Sequence, residues 1–323
     1  MPGKIRLRPY SPFANWLVVG LLSLPVAGCT TAASTPPSVT ARTVLAQLAS
    51  HTPVLVENVT FADELDFTTL PSTPETETVA RVWIDTPVFF RNCVFTGNVV
   101  AFRQKDDKTV LCAFGRNLTF INCRFNAATR FQSVSVAGIG CFSRSYFNKP
   151  VSFEGAHFGA EAYFDNTLFA TEARFQQATF GRLVSFWKSV WAGASYFQGA
   201  TFQGDAQFNL ADIRANLDFS LCTTYGLLNF NYATLTGRSN FDDCRFQNAV
   251  DFGNATLTDA SLKGAFFESK ALFTNLTTAR LSLENAYFLT IRPVFDLAGG
   301  TKPDVINLTG ARLAPAGSLP PMR

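Results

Sequence analysis

The chain has 323 residues, 47% of them hydrophobic and 16% charged, with a formal net charge of +3. Such apolar content excludes a disordered chain, and so small a charge argues against nucleic acid, which needs a basic surface to displace counterions. There are 33 Phe against 2 Met and 2 His, and a core drawn so heavily on one residue points to internal repetition.

In chain order, Lys4, Arg6 and Arg8 precede an apolar stretch from Trp16 to Ala27 that is too short to span a bilayer comfortably. Residues 1–28 are therefore expected to be a signal peptide. It ends in Val26-Ala27-Gly28-Cys29, which resembles the lipobox of bacterial lipoproteins. The resemblance implies cleavage before Cys29, diacylglycerol on its sulfur, and a place in the bacterial cell envelope. Thr30 rather than Asp follows the Cys, which implies the outer membrane in a Gram-negative cell, periplasm-facing or at the surface. Cleavage would remove three basic residues and no acidic one, leaving a mature chain of zero formal charge.

Residues 29–40 are rich in Thr, Ala, Ser and Pro and read as a flexible tether. Val44, Leu45 and Leu48 follow at helical spacing, with Thr40 as N-cap, so a short capping helix is expected within residues 41–53.

From Leu118 to Ala260 the chain divides without gaps into thirteen units of eleven residues, such as "VSFEGAHFGAE", "AYFDNTLFATE" and "SYFQGATFQGD". Position three is Phe in every unit, and position six is always Ala, Ser, Cys, Thr or Val. Position eight is mostly Phe, with Val136, Trp191, Ile213, Thr224, Leu235 and Leu257 as exceptions. The register extends upstream to Val54 with interruptions near residues 71–80 and 103–109. Downstream it slips by a residue near Ser261, Ala271 and Leu281, and Ile306 to Leu313 reads as a last coil. Steps of five and six residues fit neither a helix nor a simple strand. They fit a short extended side plus a corner, which buries nothing alone and must stack on the next coil.

These units resemble the phenylalanine-rich pentapeptide repeats, "A-x-F-x-x-A-x-F-x-G-x". The resemblance implies an all-β fold, a right-handed quadrilateral parallel β-helix, here over residues 54–313 with a tail at 314–323. Two units make a 22-residue coil, and about ten coils stacked ~4.8 Å apart give a rod on the order of 50 Å long.

Catalytic constellations are missing from the sequence: no C-x-x-C, H-E-x-x-H or G-x-S-x-G occurs, and neither His51 nor His157 has a second His beside it. No enzyme activity, cofactor or metal is expected. Cys93, Cys112, Cys123, Cys222 and Cys244 occupy the small position six as compact fillers. Cys222 and Cys244 lie one coil apart, but in-register side chains point the same way, so free thiols are expected. Cys141 is expected to face outward and to be the most reactive thiol.

A 22-residue coil places Tyr163 and Asp165 beside Ser185 and Trp187, a candidate surface for a sugar or peptidoglycan ring. Leu210, Leu221, Tyr225, Leu227 and Tyr232 form a second, apolar group, read either as local decay of the repeat or as a protein contact. The expected function is that of a lipid-anchored, non-catalytic binding or scaffolding rod. Its partners are the membrane, through Cys29, and an envelope protein or polymer. A polysaccharide-binding or polysaccharide-degrading β-helix is the alternative.

Overall fold

A computed structural model describes residues 39–289, 293–297 and 305–313. The expected signal peptide, Cys29, the tether before Val39 and the tail from 314 lie outside them. From Thr129 to Asn229, where the eleven-residue rule is unbroken, each 22-residue coil contains four two-residue strands. In one coil these are Gly140–Cys141, Tyr146–Phe147, Val151–Ser152 and His157–Phe158, here called faces A, B, C and D. Each pairs in parallel with the strand 22 residues on, as Gly140 does with Ala162 and His157 with Thr179. The fold is an all-β parallel solenoid with four sides.

The alternation of five and six residues has a local cause. From Phe142 the chain reaches Phe147 through Arg144 at φ 60°, and the turn closes by Ser145 N–H donating to the Phe142 carbonyl at 3.3 Å. A positive φ at the third turn residue marks a tight type II geometry. The corner from Phe147 to Phe153 has no such residue and takes one more. Half a coil later the pattern repeats, with Gly155 at φ 64°. Two diagonal corners are thus tight and two are loose. Asn, which tolerates the left-handed region, fills the A–B corner at Asn58, Asn92 and Asn122, and their amides chain together at 3.0 and 2.8 Å.

The lumen is almost entirely aromatic. Position-three rings stack up the rod, with Phe142–Phe164 at 5.1 Å and Phe164–Phe186 at 4.9 Å between centroids. Across the lumen the same rings meet edge to face, as in Phe164–Phe175 at 5.4 Å and 90°. Both arrangements suit the ring quadrupole, and a lumen filled to this density leaves room only for a small residue at position six. Trp191 joins one column, 4.0 Å from Phe169, and its buried indole N–H donates to Ser189 at 2.8 Å.

The helix runs from Ala41 to Ala49 with Thr40 as N-cap, closed by a reciprocal bond with Thr43, and buries Ala41, Val44 and Leu48 against the solenoid core. The two interruptions are not separate loops. Ser72–Pro74 folds back antiparallel on Val79–Ile84, and Phe102–Lys105 folds back on Lys108–Phe114. The two longer strands then pair in parallel from Thr109↔Val79 to Phe114↔Ile84. Face D is thereby extended into a four-stranded wing at the first coils. Arg103 ties it down, with guanidinium contacts to Glu64 at 2.6 Å and to the buried Asp66 at 3.0 Å.

From Arg238 the coil shortens to 21 residues, as in Arg245↔Phe266, Val250↔Ala271 and Thr256↔Thr277. The lost residue comes from the B–C corner, where the pairing of Leu235 with Leu257 shifts before Arg238 meets Asp259. The slips seen in the sequence are therefore shortened corners, and the ladder continues through them.

Candidate binding surfaces

The solenoid brings the first candidate group together. Tyr163 pairs in register with Ser185 on face A, and Asn166 N–H donates to the Trp187 carbonyl at 2.8 Å, which sets Asp165 beside Trp187. Asp165 accepts a hydrogen bond from the Ser185 hydroxyl. Burial pushes its pKa above the usual carboxylate value, opposed by that bond. Trp187 is half-buried, with the Lys188 ammonium 4.3 Å from its ring centroid, so this ring is already occupied by a cation. One rung on, Asn209 adds a side-chain oxygen that is buried and has no partner. Its place follows from adding 22 to Trp187.

The second candidate group is divided. Leu210 and Tyr232 occupy successive A–B corners, while Leu221 sits at the diagonal C–D corner. Tyr225 and Leu227 lie at the turn from D to A. Eleven residues are half a coil, so alternate members of the run face opposite ways. All three corner residues hold positive φ, at 61°, 60° and 59°, where Leu and Tyr are sterically disfavoured.

The thiols partly depart from expectation. Cys222 and Cys244 are free, each donating to a backbone carbonyl, Phe197 at 3.0 Å and Phe219 at 2.9 Å. Cys141 is not an open, reactive thiol: it is half-buried, and burial raises its pKa. Cys93 and Cys123 also prove to be one rung apart, since Val94 pairs with Arg124, an adjacency hidden by the second interruption.

A further hollow lies on another part of the rod. A groove of about 680 Å³ runs along the C–D corner over the last coils, between a corner row (Leu221, Asp243, Gly264, Asn285, Gly310) and the outward row of face D (Arg245, Phe266, Tyr287, Arg312). Phe266 and Tyr287 stack at 5.2 Å, and the Arg245 guanidinium caps Phe266 at 5.6 Å while its Nη2 meets Glu268 at 2.7 Å. Gly264 and Gly310 form the notch, because a Cβ at either would collide with the side chain of Asp243 or Asn285. Adding 22 misses this row, whose coil has shortened to 21 and then jumps from Tyr287 to Arg312. Among the described residues, no group of three or more His, Cys, Asp or Glu is placed to hold a metal ion.

The family description "Pentapeptide repeats (9 copies)" matches residues 142–190, 186–234 and 230–277. With four strands per 22-residue coil, the described solenoid has the pentapeptide-repeat fold. No curated protein matches the chain. Among solved structures, trypsin-treated QnrB1, described as a plasmid-mediated fluoroquinolone resistance protein, is 15% identical over 62% of this chain and 91% of its own, with a TM-score of 0.30. A second trypsin-treated form is 13% identical over 80% and 91%, at 0.25. Full-length QnrB1 is 12% identical over 62% and 92%, at 0.19. Likenesses this slight carry no argument about what this chain binds.

Proposed function

We propose that the chain is a lipid-anchored, non-catalytic binding or scaffolding rod of the bacterial envelope, built from the phenylalanine-rich, eleven-residue double form of the repeat. The observation that carries the binding reading is the division of labour within each unit. Positions one, three, six and eight are committed to the lumen, while the remaining positions form outward columns whose chemistry changes from rung to rung. A rigid frame with variable columns suits recognition rather than chemistry on a mobile substrate. The lipid anchor is supported by Val26-Ala27-Gly28-Cys29, and an uncharged mature chain is consistent with export.

In-cell photocrosslinking from one outward residue on each face tests the binding reading. A partner captured from one face and lost from the others is expected; capture of lipid alone from all four would refute it. Palmitate labelling should vanish in Cys29→Ser, and label that persists would remove the anchor. A second reading, a polysaccharide-binding surface, is favoured by Tyr163, Asp165 and Trp187 lying on one face. On a glycan array it requires binding that Trp187→Ala abolishes.

A further inference from the structure

The groove along the C–D corner carries two unsatisfied charges of opposite sign. The Asp243 carboxylate and the Arg312 guanidinium are both exposed, and neither has an ion-pair or hydrogen-bond partner among the described residues. The other groove cation, Arg245, is engaged by Glu268 and Phe266. Asp243 immediately precedes the Cys244–Arg245 rung, and Arg245 is followed up face D by Phe266, Tyr287 and Arg312, three rung steps in all. At ~4.8 Å per step the two charges are separated by about 14 Å along the rod. Apolar and aromatic surface lies between them, where the rings of Phe266 and Tyr287 stack on one another along the rod. At the N-terminal end of the groove Leu221 stands 55% exposed in a left-handed conformation, a bulky residue in a corner column that holds Gly at 155, 199, 264 and 310. Strain retained in this way favours a local role.

We propose that this groove binds an extended peptide segment of a partner protein, with a basic side chain on Asp243 and a carboxylate side chain on Arg312. An extended chain rises ~3.3 Å per residue, so the two charges of the ligand lie about four residues apart. Residues i, i+2 and i+4 then point the same way, and the middle one meets the Phe266 and Tyr287 rings as an apolar contact. Two exposed charges of opposite sign, one at each end of an apolar stretch, call for a ligand that carries both a cation and a carboxylate, so a peptide is favoured over a neutral glycan. The inference rests on the binding reading above and names the kind of partner.

Fluorescence polarisation with the full chain tests it, using a labelled Lys-Thr-Leu-Thr-Asp probe against Lys-Thr-Leu-Thr-Lys and Asp-Thr-Leu-Thr-Asp. The mixed-charge probe is expected to bind best, and to weaken about fivefold with Asp243→Asn or with Arg312→Gln. Asp243→Lys should transfer preference to the doubly acidic probe. All three variants change exposed side chains, and an unchanged thermal transition would verify that they fold. Equal binding of the three probes, no binding at millimolar concentration, or a preference that Asp243→Lys fails to move would overturn the proposal. So would a chito-oligosaccharide that binds in place of all three and is lost with Arg312→Gln, since it would assign the groove to a glycan. Failure here leaves crosslinking from the four faces unaffected, so the groove and the general binding reading fall separately.

Discussion

Phe219 lies flat on Phe202, a ring of the adjacent face, at 5.3 Å and 6°, and is turned 36° from Phe197, its predecessor in its own column. The cause is one rung away. Thr224 stands where the face D column otherwise carries Phe158, Phe180, Phe202 and Phe246, and Phe219 leans into the space that a ring would fill. The lumen is a packed solid that heals a missing ring by rotating a neighbour.

That repair leaves the Thr224 hydroxyl buried with no hydrogen-bond partner. A buried orphan hydroxyl costs about 1–3 kcal/mol, and Val has the same shape without it. Thr224→Val is expected to raise stability by about 1 kcal/mol in urea denaturation. Loss of stability would mean that the hydroxyl is satisfied in solution.

Leu210 and Tyr232 hold left-handed backbone at successive A–B corners. Further along this corner column stand Asn254 and Asn275, joined side chain to side chain at 2.9 Å. An L-residue in this region pays roughly 1–2 kcal/mol, which Asn largely avoids. Leu210→Asn and Tyr232→Asn are each expected to stabilise by about 1 kcal/mol, read as a raised melting temperature. A lowered melting temperature would show that the large side chains pack productively.

Burial raises the Asp165 pKa, so the folded protein keeps this proton at pH values where the unfolded chain has released it. The corresponding stability is complete below the unfolded value of about 3.9 and is lost as pH rises through the folded value. Asp165→Asn should therefore exceed the parent in stability at pH 7, with the advantage shrinking toward zero as the pH falls below 4. Denaturation of both proteins at the two pH values checks this, and a variant less stable at pH 7 contradicts it.

With its pKa raised by burial, Cys141 carries little thiolate at neutral pH. Native-state alkylation by iodoacetamide at pH 8 should be on the order of tenfold slower at Cys141 than in the urea-unfolded chain. Cys222 and Cys244, buried in the lumen, should react only after unfolding. Rapid native labelling of Cys141, read by peptide mass spectrometry, would contradict the half-buried position.

By itself the eleven-residue repetition determined the solenoid, the inward set and the column of any residue inside the unbroken register. Whether a side chain points in or out is set by its own few neighbours, through strand alternation and the corner that follows. Tyr163, Asp165 and Trp187 could thus be placed together from numbering alone. Only the tertiary structure decided which residues meet where the period is broken. It paired the two interruptions into one wing and set Cys93 against Cys123. It also aligned Asp243 with Arg312 across two coil lengths that no fixed period predicts. Lateral neighbours in a solenoid depend on how much chain each coil consumes, and hairpins and shortened corners change that length without marking it in the local pattern.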